Sequence, residues 1–127
     1  MSFDSIEYLH LAQQLINKPS QTLPGDEAKQ RSAISRAYYA TFLKAKEYLD
    51  YNTNLKIPRD GTAHTLVRDI FKRNPDGKWR KIGLQLETLL QYRTKADYND
   101  SIKDLAKIAE VMVDRAAEAI KRIGQLN

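Results

Sequence analysis

The stretch from Arg31 to Leu49, RSAISRAYYATFLKAKEYL, constrains the fold more than any other part of the chain. It reads as the middle of one long helix with two usable faces. At about 100° per residue, Ile34, Ala37, Tyr38, Thr41, Phe42, Ala45, Tyr48 and Leu49 fall on one side and form an ordinary core stripe. Arg36, Tyr39, Ala40 and Leu43 fall on or near the opposite side, with Glu47 one turn further on. A helix packed on one face only carries Lys and Glu there. We read this second face as a contact with another helix, with a second copy of the chain, or with a ligand.

The remaining helices follow from periodicity and punctuation. Helix 1 is expected from about Asp4 to Asn17, with Ile6, Leu9, Leu11, Ala12, Leu15 and Ile16 on its apolar side and Lys18-Pro19-Ser20 as its stop. Helix 2 begins near Gly25, with Asp26 and Glu27 in the first turn where the helix dipole favours them, and runs to about Tyr51. Helix 3 starts after Asp60 and carries Ala63, Leu66, Val67, Ile70 and Phe71 inward; Asn74-Pro75-Asp76-Gly77 ends it in a tight turn. Helix 4 spans about Lys78 to Ala96, with Trp79, Ile82, Leu86, Leu89 and Leu90 pointing one way. Its stripe continues into Arg93, so a guanidinium sits where the pattern asks for a core residue. Burying it without a partner is costly, and Asp97 one turn later is the partner the spacing offers. Helix 5 begins after Asn99 or Asp100, with Ile102, Leu105, Ala109, Met112, Ala116, Ile120 and Ile123 as its seam. Short loops between long amphipathic helices predict an all-α fold: an antiparallel up-down four-helix bundle of helices 1, 2, 4 and 5, with the shorter helix 3 across or beside it.

The 127 residues suit a single domain, and the absence of cysteine excludes a disulfide framework and thiolate metal sites. No apolar run reaches the length of a membrane span, and no basic-then-apolar leader is visible, so we expect a soluble cytoplasmic protein without membrane attachment. The formal charge of +5 is unevenly placed. From Leu55 to Lys95 there are ten basic and four acidic residues, a net +6; the rest of the chain has eleven basic and twelve acidic residues, a net −1. A local basic surface suits a polyanion, and it equally serves solubility.

Three short stretches carry a family resemblance: Ser32-Ala33-Ile34-Ser35-Arg36-Ala37-Tyr38-Tyr39-Ala40, Tyr92-Arg93-Thr94-Lys95-Ala96-Asp97-Tyr98, and Gly61-Thr62-Ala63-His64. In this order and spacing they resemble the HEPN-domain proteins, small helical bundles, over about residues 5 to 122. The resemblance implies that residues 1–127 form one HEPN-like domain. In the catalytic members it implies an Arg-x4–6-His motif on a helix, two copies of which meet across a homodimer and cut RNA without metal. Arginine can hold the scissile phosphate and stabilise its developing charge, and histidine can move a proton near neutral pH. Arg36 matches the arginine, but Leu43 stands seven positions on, where many relatives have histidine. The family also implies a toxin role in a two-gene toxin–antitoxin module, with a minimal nucleotidyltransferase as antitoxin partner.

No phosphate-cradling glycine loop, His-Glu-x-x-His or other metal-ligand set is present, and no cofactor is implied. The resemblance implies Arg36 as phosphate clamp, and His64 is the alternative acid or base, so the expected catalytic pair is Arg36 with His64 as proton shuttle. His64 would open helix 3 inside the basic segment, with Arg68 one turn later. Arg31, Tyr39, Arg68 and Arg93 are the expected nucleic-acid and phosphate contacts, through charge and base stacking. Each has a structural alternative. Arg36 can pair with Glu47, Asp97 or a partner chain. His64 can be a partly exposed histidine at a helix start. Arg93 with Asp97 can be an ion pair that fixes helix 4 against helix 2, with Tyr98 covering the bundle end. His10 reads as packing. Three functions remain open: a homodimeric RNA-directed HEPN protein with endoribonuclease activity, a non-catalytic module binding nucleotide, nucleic acid or a partner protein, and a helical adaptor with no polyanion ligand.

Overall fold

Asp4 starts the first helix by accepting the Ile6 N–H on its carboxylate at 3.0 Å. The computed structural model describes residues 4–16 and 25–126, which form five helices and, among the described residues, no strand. They are α1 Ile6–Ile16, α2 Asp26–Asn52, α3 Thr62–Lys72, α4 Gly77–Tyr98 and α5 Leu105–Gly124. The expected end of helix 1 at Asn17 and its Lys18-Pro19-Ser20 stop lie outside the described residues. Asp60 caps α3 from one position further out than a simple N-cap: its carboxylate accepts from Thr62 N–H at 2.9 Å and also from the Thr62 hydroxyl. Asp76 caps α4 through the Lys78 N–H at 2.9 Å.

One boundary differs from the expectation. Helix 5 begins at Leu105, not after Asn99 or Asp100. Asn99 leaves α4 in an extended conformation and Asp104 takes a left-handed one (φ 59°), so the intervening residues form a turn rather than a helix. Ile102 lies in that turn, half-buried against the core.

α2 packs on each of the other four helices, α4 also packs on α3 and α5, and α1 on α5. That explains the two-faced sequence of α2. Ile34, Ala37, Tyr38, Thr41, Phe42, Ala45 and Leu49 are buried as the core stripe predicts, but Ala33 and Ala40 on the other side are buried as well. Another helix of the same chain, α1, answers much of that second face: Tyr8 of α1 packs its ring beside Tyr39 at 6.5 Å and beneath the Arg36 guanidinium at 5.5 Å. Alanines buried on α2 (Ala33, Ala37, Ala40, Ala45) and on α5 (Ala109, Ala116, Ala119) hold little side-chain bulk between these helices, so their backbones can approach closely.

α3 and α4 form a hairpin across the Arg73–Asp76 turn. Phe71 stacks on Trp79 with centroids 4.8 Å apart, Lys72 Nζ meets Glu87 at 2.5 Å, and Gly83 lies directly against the Lys72 backbone. A methyl group built on Gly83 would stand 2.6 Å from Lys72 Cα, so only glycine fits there. The hairpin sets the start of α3, with His64, near the last third of α4, with Arg93.

Candidate functional site

The residues singled out in the sequence divide between two environments. Tyr38, Tyr39 and Phe42 of α2, His64 and Arg68 of α3, and Arg93 and Asp97 of α4 make one packed cluster. Arg36 stands beside it on Tyr8, and Arg31 is used elsewhere.

The centre of the cluster is His64. Its ring stacks on Phe42 with centroids 4.1 Å apart and meets the edge of Tyr39 at 6.0 Å. Its Nδ1 lies 2.6 Å from the Tyr38 hydroxyl. Burial pushes the Tyr38 phenol far above its ordinary range, outweighing the opposing charge of Arg93, so the phenol keeps its proton. Burial and the nearby Arg93 charge both hold His64 below its ordinary value, so the imidazole is neutral at neutral pH. We assign Tyr38 O–H as the donor and Nδ1 as the acceptor, because a phenol is the stronger donor and a neutral imidazole nitrogen the stronger acceptor; the ring proton is then on Nε2. His64 then offers a hydrogen-bond donor, not a free base, to anything that approaches Nε2.

Arg93 resolves its burial in three ways at once. One terminal nitrogen donates to the Tyr39 hydroxyl at 3.0 Å. The guanidinium lies over the Tyr39 ring at 4.6 Å and the Tyr38 ring at 5.5 Å. Its Nε is 3.3 Å from Asp97 Oδ2, close enough for an ion pair, yet the angle is too poor for a hydrogen bond and Nε is buried without an acceptor. Both side chains are about a quarter to a third exposed, so the pair contributes well under what a buried one would. Tyr98, expected to cover the end of the bundle, is 80% exposed and does not.

Arg68 contacts Asp69 at 3.3 Å, and its charge reaches Tyr38. Arg36 is exposed above Tyr8, and the chain of rings Tyr8–Tyr39–His64 stands between it and the other expected catalytic residue. Arg31 spends its donors on the α4 terminus, to Ala96 C=O at 2.7 Å and Asp100 C=O at 3.2 Å, while also meeting Glu27 at 3.0 Å. The first bond satisfies a carbonyl in the last turn of α4, and the second holds the segment that follows the helix. Leu43, seven positions after Arg36, is half-buried against the core.

A groove of about 230 Å³ lies elsewhere, lined by Lys44, Tyr48, Tyr51, Ile123 and Leu126 among others. Among the described residues no group of three or more His, Asp or Glu side chains is arranged to hold a metal ion. The sequence reading missed Tyr8 as a support for Arg36 and Tyr38 as the partner of His64. The adjacent tyrosines were the available signal: side chains one position apart on a helix diverge by about 100°, and the two rings meet the same pair, His64 and Arg93, from different sides.

No protein-family model matches this chain, and no solved structure matches it. It is similar to an uncharacterized protein of Methanocaldococcus jannaschii, 27% identical over 124 residues, which covers 88% of this chain and 73% of that protein. No helix among the described residues is long and apolar enough to cross a membrane.

Proposed function

We propose that this chain is a HEPN-like, RNA-directed module that binds its ligand through the exposed side of the Arg36–Tyr8 and His64–Arg93 groups and does not cut it. One observation carries the choice of binding over cleavage. The family histidine position is a core-packed leucine, Leu43, and the histidine nearest the cluster centre has its Nδ1 engaged by the buried Tyr38 phenol. His64 is thereby a hydrogen-bond donor at Nε2, suited to a phosphate oxygen and poorly suited to removing a proton. Arg36, Arg68 and Arg93 supply positive charge beside it, and tyrosine and histidine rings supply stacking surface.

The contacts α1–α2, α2–α4, α4–α5 and α5–α1 support an antiparallel four-helix bundle as the frame, with α3 folded onto α4 at its side. A cytoplasmic homodimer, partnered by a minimal nucleotidyltransferase in a toxin–antitoxin module, completes the reading that the resemblance implies.

Fluorescence anisotropy with single-stranded RNA, in chelator, tests it. We expect salt-sensitive binding, no cleavage products, and about a tenfold loss on Arg36→Ala. Cleavage is the second reading, favoured by the single observation that Arg93 lies over the Tyr39 ring that meets His64, which puts a cation beside an imidazole. Metal-independent products that disappear in His64→Ala select it.

A further inference from the structure

We infer, resting on the RNA-directed reading above, that the turn joining α3 to α4 is a second phosphate-contacting surface. The RNA is then a single strand long enough to run from that turn to the His64–Arg93 cluster.

Lys72, Arg73, Lys78, Arg80 and Lys81 stand within ten residues of one another, with Asp76 as the one carboxylate among them. The fold gathers them. Phe71 is stacked on Trp79, and the bare Gly83 lets the end of α3 sit directly on α4. Two of the cations have work inside the protein: Lys72 meets Glu87, and the charge of Lys81 acts on Glu118 of α5. Arg73, Lys78 and Arg80 remain exposed at the turn. The Arg73 side chain is 82% exposed, with the Asp69 carboxylate 3.9 Å away. The Arg80 guanidinium folds back to within 3.6 Å of where a Gly77 side chain would begin. The positive end of the α4 dipole points at the same turn.

Trp79, the aromatic ring beside these cations, is half-buried against Phe71 and Tyr48. The aromatic ring at the turn is therefore committed to the core, and the exposed Leu84 lies one turn further along α4. A membrane surface rewards an apolar face that inserts, whereas phosphates of a nucleic acid need only fixed cations.

Both arms of the hairpin lead from this turn to the cluster. His64 lies eight residues of helix from Lys72, about 12 Å, and Arg93 lies thirteen from Arg80, about 20 Å. At ~3.4 Å per stacked nucleotide, about six nucleotides cover the longer path. A mononucleotide reaches only one of the two places.

The test compares labelled single-stranded RNAs of about three and about twelve nucleotides on the wild-type chain and on the triple variant Arg73→Gln, Lys78→Gln, Arg80→Gln. We expect wild type to bind the longer strand at least about tenfold more tightly. The variant should lose that advantage, with its affinity for the short strand nearly unchanged. The slope of log affinity against log salt should fall by about 2, since each single-strand phosphate contact contributes about 0.7. If the triple variant melts early, Arg73→Gln alone repeats the comparison with about one third of the slope change. Wild-type binding of RNA that ignores these substitutions, or that is equal for both lengths, overturns the inference and leaves the RNA reading standing. Absence of RNA binding at either length overturns both. Binding of heparin or anionic vesicles in preference to RNA assigns the turn to another polyanion and likewise overturns it.

Discussion

The hydroxyl of Tyr38 and Nδ1 of His64, 26 positions apart in sequence, meet at 2.6 Å and tie the middle of α2 to the first turn of α3. Phenylalanine at position 38 would keep the ring and remove the bond. We expect Tyr38→Phe to cost about 1 kcal/mol in chemical denaturation, the usual net worth of such a bond. With Nδ1 released, the His64 pKa should rise towards its ordinary value, read by NMR titration of the imidazole. An unchanged titration would show that burial and the Arg93 charge hold His64 neutral without the bond.

The same histidine makes stability depend on pH. Its folded pKa is below the ordinary value of 6.5, so the unfolded chain binds the proton more readily. Its contribution is complete above that value and is lost as the pH falls from there through the lower folded pKa. Thermal melts from pH 8 to about 5 should show the decline, and His64→Gln should flatten the part of it that begins near 6.5. A wild-type melting temperature that is level through this window would contradict the burial-driven shift.

Gly83 offers a prediction in which two effects oppose each other. Alanine gains up to about 1 kcal/mol in helix propensity. It also places a methyl 2.6 Å from Lys72 Cα, and backbone cannot rotate away as a side-chain tip can. Overpacking of about 1–3 kcal/mol should win. Gly83→Ala is expected to lower the melting temperature by about 3–8 °C, with Gly124→Ala as a control, because nothing lies within 4 Å of a methyl there.

Helix existence was legible because each helix writes its own period into the chain. Val67 and Phe71 of α3, and Ile82, Leu86 and Leu89 of α4, are buried as the spacing required. The start of α5 was not legible: Ile102 fits the apolar period, but Asp104 adopts a left-handed conformation that periodicity does not encode. The partners of the site residues were partly legible. Arg93 and Asp97 are one turn apart, so helix geometry alone brings them to 3.3 Å. His64 and Tyr38 meet only because α3 folds back on α2, a tertiary choice with no local signature. Arg31 shows the converse. Its charge suggested an external phosphate, and the fold turns it to the carbonyls of Ala96 and Asp100.

The order in which the chain emerges during synthesis gives the central position of α2 a further meaning. α2 is complete by Asn52, yet one of the helices it packs against, α5, starts only at Leu105. Throughout the translation of α3 and α4, one flank of α2 has no partner to pair with, and contacts so distant in sequence form late. A chain interrupted within α5 would leave that flank open. Such a fragment should be captured by chaperones or aggregate, even with every residue of the candidate site already made.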